Sequence, residues 1–211
     1  MDNLWQALIL GIVEGLTEFL PVSSTGHLII TGHLLGFTGE KAATFEVVIQ
    51  LGAILAVVML YRERFIGLIK PDKDKAFSGI RGLWLLFLTS GPAAAIGLVA
   101  HDAIKERLFT PVTVAWALGV GALAIIGVEF MRRKVRFQSL DTITPIIALG
   151  IGFFQAFSLW PGFSRAAATI MGGMILGLER KLAAVYSFIA AVPIMVAATA
   201  YDMLKSLHLF D

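Results

Sequence analysis

Cysteine is absent from this 211-residue chain, and charged residues are scarce. Without cysteine the chain has no disulfide framework, no thiolate nucleophile and no cysteine-bound metal. Asp, Glu, Lys and Arg make up 15% of the residues, whereas about a quarter is usual in soluble domains. The net charge is only +2, which excludes a strongly basic nucleic-acid-binding protein. The shortage of charge also argues against an ordinary water-soluble enzyme.

Hydrophobic residues are correspondingly abundant, at 57% of the chain against roughly 45–50% in a soluble domain. The 21 glycines suit the close packing of helices in lipid. The composition therefore predicts an all-α polytopic membrane protein, a single domain over residues 1–211, with the lipid bilayer around it and no nucleic-acid partner.

The apolar residues fall into two kinds of segment. Four stretches have about the 20 residues that a helix needs to cross a bilayer, and they predict at least four transmembrane helices, at residues 43–61, 82–100, 111–131 and 182–204. Two further regions, 4–37 and 142–178, are each interrupted by a break rich in Pro, Gly and Ser. A short apolar helix, a break and a second short helix are typical of a re-entrant hairpin.

The two broken regions predict an internal repeat. Two intervals agree at 140 residues, Pro21 to Pro161 and Ser24 to Ser164, and residues 45–51 align with 186–192 at an interval of 141. Because three predicted spans separate the hairpins, the hairpins enter the membrane from opposite faces. This is an inverted-topology repeat, whose functional site is expected between the copies near the midplane. Repeat one covers about residues 1–131 and repeat two about 142–211.

The basic residues of the loops predict the orientation. Loops 62–81 and 132–141 are rich in Lys and Arg, whereas loop 101–110 has only two basic residues. The positive-inside rule places the first two loops in the cytoplasm. The first hairpin then opens from the outer face, from which we expect the site to be reached, and the second opens from the cytoplasm.

Glu14 and Glu18 interrupt the first apolar helix. Each would cost roughly 2.5–3.5 kcal/mol in a membrane-spanning helix if it stayed charged and unpaired. They are four residues apart and so share one helix face. A divalent metal such as Mg²⁺ or Ca²⁺, a basic residue of the other hairpin, or protonation would satisfy them. A plain hydrogen bond to backbone or serine is the structural alternative.

Hydroxyl groups and a histidine follow this acidic pair. Ser23, Ser24 and Thr25 stand at the break, just before the second short helix, and His27 lies in its first turn. Such hydroxyls often only cap a helix, but a helix N-terminus also binds phosphate through its free amides. Beside serines and glutamates, His27 suits general acid–base work or activation of a nucleophile.

Arg165 is the only basic residue between Arg136 and Arg180. Its guanidinium suits bidentate binding of a phosphate, or it serves as counter-ion to a glutamate of the other hairpin. Ser164 and Thr169 are donors beside it, unless they only bond to backbone. The residues alone thus indicate either phosphoryl chemistry on a lipid or transport of an anion, by a secondary transporter or a lipid flippase with a midplane anion site.

Three motifs resemble one known family. EGLTEFLPVSSTGH at residues 14–27, TFEVVIQLG at 44–52 and WPGFSR at 160–165, followed by ATI at 168–170, resemble the bacterial undecaprenyl pyrophosphate phosphatases, also called bacitracin resistance proteins. The resemblance runs along essentially the whole chain. It implies a plasma-membrane enzyme that hydrolyses undecaprenyl pyrophosphate to the monophosphate and inorganic phosphate, recycling the lipid carrier of cell-wall synthesis with the help of a divalent metal.

The resemblance also implies residue roles. Glu14 and Glu18 would be the catalytic, metal-binding acidic pair, Ser24 the nucleophile and His27 its acid–base partner, with His27 as nucleophile left open. Arg165 would hold the pyrophosphate. The substrate would also be bound by four hydroxyl-bearing residues, Ser23, Thr25, Ser164 and Thr169.

Two departures from the family pattern stand out. Ala166-Ala167 replaces the usual Ser-Gly after the arginine. Repeat two also ends at Asp211 without the two C-terminal spans usual in the family, so either the chain is truncated or the repeat is incomplete. A truncated, inactive relative is therefore a third reading. The sequence carries no mark of oligomeric state, and a homodimer is left open.

Overall fold

A computed structural model describes residues 4–108, 110–131 and 133–205, apart from the side chains of residues 40, 41, 43, 101, 102, 105, 106, 111, 202 and 205. The predicted end of repeat two, residues 206–211, lies outside the described residues. The α-helices in the described ranges are α1 Leu4–Thr17, α2 Ser24–Leu34, α3 Glu40–Leu60, α4 Arg62–Ile69, α5 Gly79–Val99, α6 His101–Leu108, α7 Pro111–Phe130, α8 Pro145–Gln155, α9 Arg165–Ile175 and α10 Arg180–Lys205. Short 3₁₀ helices occupy Leu140–Thr142 and Ala156–Leu159. The predicted all-α class is confirmed for this part of the chain.

Three helical segments are long and apolar enough to cross a membrane, namely Gly79–Val99, Val112–Phe130 and Arg180–Tyr201. A fourth, Thr44–Leu60, meets the same criterion only together with α4, from which it is bent by 82°. The described chain therefore has three candidate spans, or four if the bent pair forms one. At least four spans, re-entrant hairpins and their inverted relation stay predictions.

Each broken region forms a pair of helices that pack on each other, α1 with α2 and α8 with α9. After each break a serine caps the N-terminus of the next helix, Ser23 for α2 and Ser164 for α9. The Ser23 hydroxyl accepts a hydrogen bond from the Gly26 N–H at 3.4 Å, and the Ser164 hydroxyl accepts from the Ala167 N–H at 3.2 Å. These bonds satisfy amides that have no partner within the first turn of a helix.

The core lies around the second helix pair. Helix α8 packs against α5 and α9, and α10 packs against α9 and α3. At Gly152 a Cβ atom would lie 2.7 Å from the Leu88 carbonyl oxygen, so only glycine allows α8 and α5 to approach this closely. The buried Thr89 hydroxyl lies 2.6 Å from the Tyr186 hydroxyl and 3.1 Å from the Ala148 carbonyl oxygen, which joins α5, α8 and α10.

Large apolar side chains also cover much of the outside. Leu8, Ile12 and Leu16 of α1 are each more than half exposed, as is Phe87 of α5. A soluble monomer rarely exposes such continuous apolar surface. Together with the candidate spans, these outward faces are those of a membrane protein, with lipid as their natural neighbour.

The two predicted basic loops lie together at one end of the bundle, as expected for loops separated by two spans. Arg64 is paired with Asp141 at 3.3 Å, the Phe77 N–H donates to Asp141 at 2.7 Å, and Arg81 donates to the Ile143 carbonyl oxygen at 3.1 Å. Asp141 therefore ties the segment after α3 to the segment before α8.

Asp141 predicts a pH-dependent contribution to stability. Burial opposes its ionisation, but the Phe77 N–H and the Arg64 guanidinium outweigh burial and lower the pKa of Asp141. A lowered pKa in the folded state stabilises the protein above the unfolded pKa and stops doing so as the pH falls through the folded pKa. We expect Asp141→Asn to lower the free energy of unfolding at pH 7 by about 1–2 kcal/mol. The difference from wild type should shrink as the pH falls below about 4 and vanish only below the lowered pKa of folded Asp141.

Thermal unfolding in detergent across this pH range measures the effect. Asp72→Asn is the matched control, because Asp72 is an exposed carboxylate whose pair with Lys75 at 3.1 Å lies at the surface. Equal losses in the two variants would contradict a specific role for Asp141.

Candidate functional site

An ion pair joins the two breaks of the chain. Arg165, the first residue of α9, donates from Nη2 to Glu18 Oε1 at 2.9 Å, and Glu18 directly follows α1. The side chains are only 13% and 9% exposed. Arg165 is thus the counter-ion of Glu18, one of the two roles predicted for it, and the helix pairs α1–α2 and α8–α9 meet at this contact.

Ser24 is bound to the same carboxylate. Its hydroxyl donates to Glu18 Oε2, the oxygen that Arg165 does not use. Ser24 is buried at the start of α2, so its side chain points into the contact between the hairpins. One oxygen of Glu18 therefore binds a hydroxyl of the first helix pair, and the other binds the guanidinium of the second pair.

Glu14 lies one helical turn before Glu18, as their spacing predicts, but it has a different environment. It is 1% exposed, and among the described residues neither of its carboxylate oxygens has a hydrogen-bond partner. The charges of Glu18, Arg165 and Glu46 all act on it. Since an unpaired buried carboxylate costs several kcal/mol, Glu14 needs a proton or a cation.

The two carboxylates suit a metal ion whose coordination is completed by oxygens of the substrate. Within the described ranges no group of three or more His, Cys, Asp and Glu side chains forms a preformed metal site. Mg²⁺, however, is often bound by one or two carboxylates together with substrate phosphates. The orphaned carboxylate of Glu14, with Glu18 beside it, fits an ion of that kind, so the predicted metal ligands remain Glu14 and Glu18.

His27 and Thr25 are placed differently from the serines. Both are exposed, whereas Ser23 and Ser24 are buried. His27 Nδ1 lies 2.9 Å from the Ser23 carbonyl oxygen. Because a carbonyl can only accept, Nδ1 carries the hydrogen of this bond, and Nε2 of the neutral ring is left with its lone pair. Ser24 thus bonds to Glu18, and His27 to the Ser23 backbone.

Further contacts hold Arg165 from the side of α10. Its Nη1 donates to the Ser187 carbonyl oxygen at 3.3 Å. Thr169 donates to the Arg165 carbonyl oxygen at 2.9 Å, and its Oγ1 lies 2.6 Å from Ser187 Oγ. Ser164 caps α9 through its hydroxyl. Of the two hydroxyl residues predicted beside Arg165, Ser164 caps the helix and Thr169 bonds to the Arg165 backbone.

Ser187 was not predicted from the sequence. The available signal is the proposed repeat, in which residues 45–51 align with 186–192, because Ser187 then corresponds to Glu46. Both residues lie near the charged contact, Ser187 at Arg165 and Glu46 within electrostatic range of Glu14.

Helix α7 supports both breaks. Gly162 has φ +95°, and a Cβ atom there would lie 2.7 Å from the Val114 carbonyl oxygen, so the second break needs glycine for its conformation and for its close approach to α7. Trp160 Nε1 donates to the Thr113 carbonyl oxygen at 3.0 Å. A Cβ atom at Gly26 of the first helix pair would lie 3.6 Å from a Leu118 methyl group, so α7 also passes close to the first break.

The departure at residues 166 and 167 concerns buried positions. Ala166 is 1% exposed and Ala167 is 2% exposed. Their methyl groups are buried in the protein interior. Position 166 therefore supplies no hydroxyl to the site. The Thr169 hydroxyl, 3.3 Å from the Ala166 carbonyl oxygen, remains the buried hydroxyl of this turn.

Comparisons with known proteins agree on one family. A family model described as bacitracin resistance protein BacA matches residues 7–210. An undecaprenyl-diphosphatase of Maridesulfovibrio salexigens is 71% identical over 210 residues, covering 100% of this chain and 80% of that protein. An undecaprenyl-diphosphatase of Solidesulfovibrio magneticus is 67% identical, covering 97% and 77%. Undecaprenyl-diphosphatase 1 of Bacillus cereus is 51% identical, covering 98% and 78%.

Proposed function

Because this chain belongs to the bacitracin resistance protein BacA family, we propose that it hydrolyses undecaprenyl pyrophosphate to undecaprenyl phosphate and inorganic phosphate. The reaction recycles the lipid carrier of cell-wall synthesis. Relatives up to 71% identical carry the name of this activity. The observation that carries the proposal for this chain is the chain of contacts from Ser24 through Glu18 to Arg165, which places a hydroxyl, a carboxylate and a cation together.

Arg165 is suited to hold the pyrophosphate. A guanidinium has five N–H donors in a planar fork, and described residues engage two of its nitrogens, Nη2 at Glu18 and Nη1 at Ser187. The remaining donors are available to phosphoryl oxygens. In a site of low dielectric, a fixed cation of this kind stabilises the charge that develops on those oxygens in the transition state.

Ser24 and Glu18 suit the first chemical step. As Ser24 Oγ attacks the terminal phosphorus, its proton passes to Glu18 Oε2, to which it is already hydrogen-bonded. The bond from phosphorus to the bridging oxygen breaks, and undecaprenyl phosphate leaves. Water then attacks the same phosphorus, the bond from phosphorus to Ser24 Oγ breaks, inorganic phosphate leaves, and Oγ takes its proton back from Glu18. This assigns to Glu18 the base role that was predicted for His27.

His27 is suited to the second step of the reaction, the attack of water. With Nδ1 turned to the Ser23 carbonyl oxygen, its Nε2 lone pair is directed elsewhere and can accept a proton from the attacking water. The same lone pair makes His27 the alternative nucleophile. A divalent cation at Glu14, when bound, would neutralise charge on the phosphoryl oxygens.

The orientation in the membrane is also part of the proposal. We place the protein in the bacterial inner membrane with the site reached from the outer face. Support comes from loops 62–81 and 132–141, which carry most of the basic residues and lie together at one end of the bundle.

Phosphate release from undecaprenyl pyrophosphate tests the activity directly. We expect the purified 211-residue chain in detergent to release inorganic phosphate with Mg²⁺ or Ca²⁺, and EDTA to stop the release because it removes the cation that balances Glu14. A transporter or flippase with the same anion site would release none. Absence of release under either metal would reject the hydrolase proposal, and release that continues in EDTA would reject the metal.

Replacing the cation tests the site. We expect Arg165→Lys to lower kcat/KM by about 10²–10³-fold, because an ammonium lacks the planar fork that contacts Glu18 and phosphate together. Arg180→Lys is the matched control, since Arg180 is 74% exposed and pairs with Glu129 at the surface. Steady-state phosphate release by both variants measures the difference. Near-wild-type activity of Arg165→Lys would contradict the assigned role.

A further inference from the structure

We propose that Ser187 is a positioning residue that fixes the guanidinium of Arg165 for pyrophosphate binding, an inference that rests on the function proposed above. Ser187 lies in α10 and is 0% exposed. It belongs to none of the sequence motifs that indicated the activity. Its carbonyl oxygen contacts Arg165 directly, and its hydroxyl is linked to Arg165 through Thr169.

The hydrogen bonds of Ser187 are connected to both the side chain and the backbone of Arg165. The Ser187 carbonyl oxygen accepts from Arg165 Nη1 at 3.3 Å, at the tip of the side chain. Its hydroxyl lies 2.6 Å from Thr169 Oγ1, which donates to the Arg165 backbone carbonyl at 2.9 Å. Either hydroxyl of this pair can donate to the other, so the bond joins Ser187 to Thr169 whichever group supplies the hydrogen. Ser187 thus braces the base of α9 and the guanidinium of its first residue.

The geometry places the guanidinium between two fixed acceptors. Glu18 holds Nη2 at 2.9 Å and Ser187 holds Nη1, and two such bonds define the plane of the fork. An arginine side chain has high rotamer entropy. Fixing it before the substrate arrives lowers the cost of binding, which is the general benefit of preorganisation.

The same turn of α10 also contacts the first hairpin. Phe188 packs edge-on against Phe19, with ring centroids 5.3 Å apart. Phe19 directly follows Glu18 in the chain. Residues 187 and 188 of α10 therefore contact Arg165 itself and Phe19, the residue that follows its ion-pair partner Glu18.

A buried hydroxyl elsewhere in α10 supplies the matched control. Thr199 is 1% exposed, and its Oγ1 has no hydrogen-bond partner among the described residues. Truncating Thr199 removes buried atoms from the same helix without touching Arg165. A purely structural role of Ser187 predicts similar behaviour of Ser187→Ala and Thr199→Ala.

The test compares KM and kcat for phosphate release in detergent. Ser187→Ala keeps the carbonyl oxygen that accepts from Nη1 but loses the hydroxyl bond to Thr169, which anchors the first turn of α9 and with it Arg165. We expect this loss of one hydrogen bond to lower kcat/KM by about five- to tenfold and to raise KM, because a less firmly held Arg165 binds pyrophosphate less well. Thr199→Ala should keep the wild-type KM. Partial unfolding would lower the apparent kcat and leave KM unchanged, so that pattern in Ser187→Ala would overturn the inference.

A second comparison uses the Arg165→Lys background. If Ser187 acts through the guanidinium, adding Ser187→Ala to Arg165→Lys should change kcat/KM by less than about twofold. An undiminished five- to tenfold loss in that background would overturn the inference, as would wild-type kinetics of the single variant. If the wild-type chain releases no phosphate at all, the proposed function itself fails, which is a distinct result.

Discussion

The buried ion pair between Glu18 and Arg165 is the contact on which the site depends. Taking two charges out of water is costly, and only good geometry with further hydrogen bonds compensates for it. Here Ser24 binds the second carboxylate oxygen and the Ser187 carbonyl binds the guanidinium. The pair lies where two chain breaks meet, so it fixes one helix hairpin against the other.

The site also contains one buried carboxylate, that of Glu14, which the ion pair does not neutralise. Arg165 neutralises Glu18, while the buried carboxylate of Glu14 stays without a hydrogen-bond partner among the described residues. A proton or a cation must therefore accompany Glu14. The surrounding helices are joined by the close approach of Gly162 to α7 and by the hydrogen bond between Tyr186 and Thr89 across the core.

Local chemistry explains how much of this was predictable. The four-residue spacing of Glu14 and Glu18, the isolation of Arg165 among apolar residues and the serines at the breaks are properties of the sequence itself, and they indicated the site residues. Ser187 was missed because a single serine in an apolar helix is common, and its importance arises only when α10 packs on α9. The outward position of His27 likewise follows from how α2 packs, which periodicity alone does not determine.

The most direct measurement is a double-mutant cycle on the free energy of unfolding, with Glu18→Gln, Arg165→Gln and the double variant unfolded by SDS in mixed micelles. Each single change leaves one buried charge unpaired, so we predict a loss of about 3–5 kcal/mol for each and a clearly smaller loss for the double variant than the two added together. Additive losses would mean that the two residues do not stabilise each other, and would contradict the account of the site.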